Sequence, residues 1–272
     1  MNKNIKSFYF STTDTTRKIV TGIADILAAR SSNKAVKNID FTLPDARKEP
    51  VSFTEKDLVV VGLPVYAGRV PNVLLKFLNA ISGNGALAIA VVVYGNRHYD
   101  DALIELRDIL ELKGLKVIAG AAFIGEHSFS KILGQNRPDE QDMSMVTEFA
   151  KQIYQKVTTS NVFESIFVPG NQPYQAYYQP KDKDGNHVNI QKVTPKTNSN
   201  CINCKLCVSL CPMGSIDVDD VSKIIGICIK CCACVKKCSA QAKYFDDANY
   251  LWHKHELEVA YTSPRREPEL FL

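Results

Sequence analysis

Hydrophobic positions along residues 1–160 follow two alternating periods. Ile5–Phe10 reads as a strand with one mixed face, and the Ser/Thr-rich residues after it lead into a helix-like stretch, Thr15–Ala29. Val36–Ile39 predicts a short strand. Asp57–Val65 contains Leu58-Val59-Val60-Val61, the β-branched run of a parallel strand buried on both faces. Pro71–Ala80 predicts a helix with proline at its start, and Leu87–Tyr94 a second buried strand. Tyr99–Lys113 is amphipathic, with Leu103, Leu106, Ile109 and Leu110 on one face and Gly114 placed to end it. Leu115–Phe123 predicts a fifth strand. Asp139–Lys156 predicts a final helix, with Met145, Phe149 and Ile153 at i, i+4 and i+8. Strands alternating with helices imply an α/β fold with a doubly wound, five-stranded parallel sheet.

The pattern then breaks. Residues 160–200 carry Pro169-Gly170, Gln172-Pro173-Tyr174 and the run Lys181-Asp182-Lys183-Asp184-Gly185-Asn186. That run predicts a hairpin turn between Ala176–Gln179 and His187–Val193. Tyr174, Tyr177 and Tyr178 need burial, so an ordered lead-in is expected. The tail Asp246–Leu272 predicts one helix containing Trp252, with His253 and His255 solvated and Arg265–Glu269 as an exposed end.

Composition adds exclusions. Apolar residues make up 45% and charged residues 23%, which fits a folded globular chain. A net charge of +4 over 272 residues is too small to mark nucleic acid as the main partner. The longest apolar stretch, Ala86–Tyr94, is too short to span a bilayer. The first six residues, Met1–Lys6, lack the apolar segment of a secretory signal, so a cytoplasmic location is expected.

The nine cysteines change the picture, because all fall between Cys201 and Cys238. In a reducing compartment such a segment points to metal binding, not disulfides. Cys201, Cys204, Cys207 and Cys211-Pro212 follow C-x2-C-x2-C-x3-C-P. Cys228, Cys231, Cys234 and Cys238 repeat the spacing 27 residues later, with Ile202 recurring as Ile229 and Val208 as Val235. Zinc is the alternative, although its usual spacing is two C-x2-C pairs around a longer loop. Ser239 replaces the second proline. Cys232 has no cysteine counterpart in the repeat and is a packed small residue, a spare ligand or a redox-active thiol.

This doubled spacing resembles the bacterial two-cluster ferredoxins. Three cysteines wrap one cubane and the fourth ligates the other. The resemblance implies one 4Fe–4S cluster on Cys201, Cys204, Cys207 and Cys238, and a second on Cys228, Cys231, Cys234 and Cys211. Lys205, Lys230, Lys236 and Lys237 lie beside these ligands and either steer an acidic redox partner or form ordinary solvated surface.

In doubly wound sheets, ligands bind beyond the carboxyl ends of strands. Three loops leave those ends. Ser11-Thr12-Thr13-Asp14-Thr15-Thr16 places hydroxyls and N–H groups at a helix start, as an anion site or as plain capping. It has no lysine, which argues against a Walker-type nucleotide loop. Residues 5–158 resemble a flavodoxin-like FMN domain, whose phosphate loop reads S/T-x-T-G-x-T. Ser11, Thr13 and Thr16 match its hydroxyls, and Asp14 stands in place of its glycine, where a carboxylate repels phosphate unless it points outward. The flanking loop Pro64-Val65-Tyr66-Ala67-Gly68 supplies Tyr66 as a ring contact. The other flanking loop offers Tyr94, Gly95, Asn96, Tyr99 and Asp101, with Tyr99 stacking on the ring. His127, and with less support His98, are further candidates beside the flavin.

The whole chain is similar to flavodoxin–ferredoxin fusion proteins. That resemblance implies an FMN domain over 1–160, an ordered linker over 161–196, a small α+β ferredoxin-like domain over 197–246 and a C-terminal tail over 247–272. It implies a cytoplasmic electron carrier with one FMN, two 4Fe–4S clusters, a redox partner protein or small acceptor, and no membrane span. No G-x-G-x-x-G fingerprint for a pyridine nucleotide is present. A flavin-dependent reductase of a small acceptor and a redox sensor with an empty flavin pocket are the competing readings.

Overall fold

The computed structural model describes residues 1–32, 34–160 and 162–272. The N-terminal part runs β1 (Asn4–Tyr9), α1 (Thr15–Ala29), β2 (Val36–Asp40), β3 (Asp57–Pro64), α2 (Leu75–Leu78), β4 (Leu87–Tyr94), α3 (Ala102–Leu112), β5 (Lys116–Ile124) and α4 (Glu140–Thr159). The cysteine-bearing part adds β6 (Lys196–Thr197), α5 (Leu206–Ser209), α6 (Ala233–Lys236) and β7 (Lys243–Tyr244). The tail adds α7 (Ala248–Tyr261) and β8 (Glu269–Phe271).

The main sheet has the order β2-β1-β3-β4-β5-β8. Its first five strands are parallel and follow the flavodoxin-like order 2-1-3-4-5. Alternation along the strands divides the core. In β3, Val59, Val61 and Leu63 join Phe8, Phe10, Phe41 and the apolar residues of α3 on one face. Leu58 and Val60 join Ile19, Ile23 and Leu27 of α1 and Phe149 and Ile153 of α4 on the other.

Several expectations need correction. The sheet has a sixth strand: β8 pairs antiparallel with β5, Ala121 opposite Leu270, so the tail is an edge of the sheet and not a free end. It is pinned by Tyr99 Oη donating to Glu269 (2.7 Å), by Asn96 bonding Tyr261, Pro264 and Arg266, and by Arg265 pairing with Asp139 at the start of α4. The helix expected over Pro71–Ala80 is shorter, a 3₁₀ turn at Asn72–Leu74 followed by the single turn of α2. The expected hairpin is reduced to a tight turn with one bridge, Lys181 to His187, because the Asp182 carboxylate collects the N–H groups of Asp184 and Asn186. His253 is buried, not solvated, stacked on Tyr178.

The lead-in is strapped to the sheet domain. Asp101 accepts from the backbone N–H groups of Asn171 and Gln175, and Arg69 lies over the rings of Tyr174 and Tyr177 while gripping Glu105 with two nitrogens at 2.8 Å. Among the described residues, no helix is long and apolar enough to cross a membrane.

Candidate functional site

The sequence duplication is repeated in the backbone. Asn203 and Lys230, Lys205 and Cys232, and Gly214 and Gln241 are pairs 27 residues apart, and all six have positive φ. The single-turn helices α5 and α6 stand at the same offset. Left-handed residues turn the chain sharply inward between successive cysteines. Cys232 is the counterpart of Lys205 and precedes α6. Its buried thiol lies 3.4 Å from the Tyr250 hydroxyl.

Each set of cysteines rings a small cavity, and the two sets interleave. Cys201, Cys204, Cys207 and Cys238 line one, and Cys211, Cys228, Cys231 and Cys234 line the other, with Cys234 reaching the first as well and Cys232 the second. Among the described residues, no three metal-binding side chains converge tightly enough to hold a single ion. The fourth cysteine of each set receives a backbone N–H at 3.3 Å, Cys211 from Ser215 and Cys238 from Ala242. Burial pushes the Cys231 thiol up to about 12, and Cys234 higher still. Burial also raises Cys238, but backbone N–H groups outweigh it and bring this thiol below its ordinary value. Thiolates in such cavities need added positive charge, which iron supplies, so the donor set and its wide spacing fit an iron–sulfur cluster.

A cavity of about 1050 Å³ opens at the carboxyl ends of β1, β3 and β4. Thr12, Thr13 and Thr15 line it from the first loop, Pro64–Gly68 from the second, and Tyr94, Gly95 and Arg97 from the third. Of the remaining predicted residues, Ser11, Asp14, Thr16, Asn96, Tyr99 and Asp101 are not in its wall. Ser11 Oγ accepts from Arg17 N–H at 3.0 Å, and the Thr16 side chain packs at Gly62 of β3. Asn96 and Tyr99 hold the tail, and Asp101 holds the lead-in. Asp14 takes the left-handed conformation (φ 68) that favours glycine, and its carboxylate pairs with Lys237 (2.7 Å) and Arg17 (3.3 Å).

Two glycines are required by close approach. At Gly68 (φ 79) a Cβ would meet Asp100 Oδ2 at 2.3 Å, and at Gly95 it would meet the His127 ring at 2.3 Å. His127 lines the cavity. Burial lowers its pKa to about 3, and its Nδ1 accepts from Phe129 N–H, which leaves the proton of the neutral ring on Nε2.

The opposite wall was not foreseen. Tyr177–Pro180, His187–Lys192 and His253 line it, together with Cys228, Ile229 and Lys230 of the cysteine part. These come from segments 80 and more residues beyond β4, and no local motif marks them. Each of the four lysines beside the ligands bonds within the chain. Lys236 bonds Glu126, the His127 carbonyl (2.6 Å) and the Ser130 carbonyl (2.9 Å). Lys237 pairs with Asp14, Lys230 bonds the Gln191 and Cys228 carbonyls, and Lys205 the Val218 carbonyl.

The orphaned groups of this cavity fit an elongated polar ligand. The buried Tyr66 hydroxyl and His253 Nδ1 have no hydrogen-bond partner, and the Asp14 side chain makes no capping bond to the 15-residue α1, where Ser11 Oγ takes the N–H of Arg17 instead. Hydroxyl-rich loop, open helix N-terminus and aromatic flank together fit FMN.

Comparisons with known proteins divide along the same line. The family described as a 4Fe–4S dicluster domain matches residues 147–252. Among solved structures, a flavodoxin from the domain Archaea is 19% identical and covers 56% of this chain and 97% of its own, at a TM-score of 0.41. A Fusobacterium nucleatum flavodoxin bound to flavin mononucleotide is also 19% identical, covering 57% and 98% at a TM-score of 0.39. An NADH:FMN oxidoreductase in its apo form is 17% identical, covering 58% and 92% at a TM-score of 0.43. No curated protein matches the chain. The chain joins an α/β domain of flavodoxin strand order to a 4Fe–4S ferredoxin-type domain.

Proposed function

We propose that this chain is a cytoplasmic electron-transfer protein that holds one FMN in the large cavity and two 4Fe–4S clusters in the interleaved cysteine cages, and exchanges electrons with a redox partner. The observation that carries this reading is the shared wall: Cys228, Ile229 and Lys230 face the same cavity as Thr12 and Tyr66. When bound, FMN exchanges one or two electrons and each cluster exchanges one.

The residues divide the work. Thr12, Thr13 and Thr15 and the first-turn N–H groups of α1 hold the phosphate. Tyr66 and Tyr94 flank the ring site, and Gly68 and Gly95 let the two loops close around it. Cys201, Cys204, Cys207 and Cys238 hold one cluster, and Cys228, Cys231, Cys234 and Cys211 the other. The N–H groups of Ser215 and Ala242 donate to cluster thiolates, which favours the reduced state. Lys236 and Lys237 fasten the cluster part over the flavin loops.

A second reading follows from the cavity volume, which lies just above the range of about 300–1,000 Å³ usual for ligand sites. It leaves room beside the flavin for a small acceptor, and the chain would then act as a reductase. Anaerobic reductive titration tests the relay. Two electrons taken up by flavin and one by each cluster support it, and uptake confined to either cofactor type refutes it. Steady-state turnover of a small acceptor by the isolated protein favours the reductase.

A further inference from the structure

Tyr66 occupies an unusual place between the two proposed redox sites. Its backbone exchanges two hydrogen bonds with Arg69 (3.0 and 3.1 Å) across Ala67 (φ 52) and Gly68 (φ 79). Two central residues with positive φ make this the tight turn of a β-hairpin. Arg69 is itself fixed by Glu105 and by the rings of Tyr174 and Tyr177. The loop therefore aims the Tyr66 side chain with little freedom. Its ring lines the flavin cavity, and its hydroxyl is sealed from solvent without a protein partner. Thr12 and the cluster ligand Cys228 line the same cavity as Tyr66, and the hydroxyl lies within electrostatic reach of Cys231, Cys232 and Cys228.

A buried hydroxyl without a partner costs about 1–3 kcal/mol, so native proteins rarely keep one. A phenol is protonated at neutral pH and is a good donor, and the sulfurs of an iron–sulfur cluster accept hydrogen bonds that set its potential. We propose that the Tyr66 hydroxyl donates a hydrogen bond to a sulfur of the cluster held by Cys228, Cys231, Cys234 and Cys211, while the Tyr66 ring walls the flavin cavity. One side chain then touches both redox sites and acts as a positioning residue for electron exchange between them. This inference rests on the function proposed above.

Tyr66→Phe removes the donor and keeps the ring. Iron, sulfide and FMN contents measured on the same samples separate a failure of the cofactor assignment from a failure of this inference. With both cofactors present, the variant is expected to shift one cluster potential to more negative values. It should leave the potential of the other cluster where it is in the wild type. In the wild type, double resonance on the reduced cluster before and after transfer to D2O is expected to show an exchangeable proton that Tyr66→Phe lacks. Unchanged cluster potentials with the exchangeable proton retained overturn the inference. Weakened FMN binding with both potentials unchanged gives the hydroxyl to the flavin and overturns it equally.

Discussion

Lys236→Met tests how the two parts of the chain are held together. The Lys236 side chain is only 14% exposed, and its ammonium group meets the Glu126 carboxylate and the carbonyls of His127 and Ser130. Methionine keeps the length and apolar stem but donates nothing. A hydrogen bond to a charged group contributes about 1.5–3 kcal/mol, and three sharing one ammonium do not add in full. Glu126 is 29% exposed and recovers part of its hydration once unpaired. The expected loss is about 2 kcal/mol, close to thirtyfold in the equilibrium between docked and opened forms. Urea unfolding followed separately by flavin and by cluster absorbance measures it. The cluster transition is expected at lower urea, with the flavin transition moving less, because Lys236 fastens the cluster part onto a sheet domain that keeps its own two-faced core. Coincident transitions at the wild-type midpoint would refute the fastening role.

Three further outcomes follow from the geometry. Asp14→Gly is expected to leave the FMN dissociation constant within about threefold (about 0.7 kcal/mol) in a flavin titration, because the carboxylate faces Lys237 and not the cavity. A tenfold tightening would mean that it repels the phosphate after all. Cys211→Ser is expected to damage the cluster otherwise held by Cys228, Cys231 and Cys234. In paramagnetic resonance of the reduced variant, loss of the neighbouring cluster's signal alone rejects the crossed assignment. His127 and His253 are held neutral by burial, their pKa values lowered to about 3 and about 4 from 6.5. The unfolded chain thus takes up their protons first, so stability is full above about pH 6.5 and falls as pH drops toward 4. His253→Gln is expected to flatten this fall in urea midpoints measured between pH 7.5 and 5, and an unaltered slope would show that His253 does not titrate this way.

Regular elements were legible wherever local pattern decides them. The buried runs at Leu58–Val61 and Leu87–Tyr94 and the amphipathic stretches of α1, α3 and α4 form the expected elements within a few residues. The cysteine spacing was legible for the same reason, since each loop closes on itself. What escaped depends on partners far away in sequence. Asn96, Tyr99 and Asp101 sit in the right loop, yet their side chains serve segments 70 to 170 residues later. Glu269–Phe271 is too short to announce a strand, and forms one because β5 offers an open edge. Lys236 and Lys237 read as surface because nothing nearby in sequence tells that Glu126 and Asp14 await them. His253 is one polar residue among several on α7, and only its stacking on Tyr178 explains its burial.

Cofactor content of protein purified without oxygen bears most directly on the central claim. Eight irons, eight sulfides and one FMN per chain are expected from two interleaved cages and one cavity sharing a wall. Zinc in the cages, or full iron and sulfide with no flavin under conditions that saturate a flavodoxin, would contradict an internal relay.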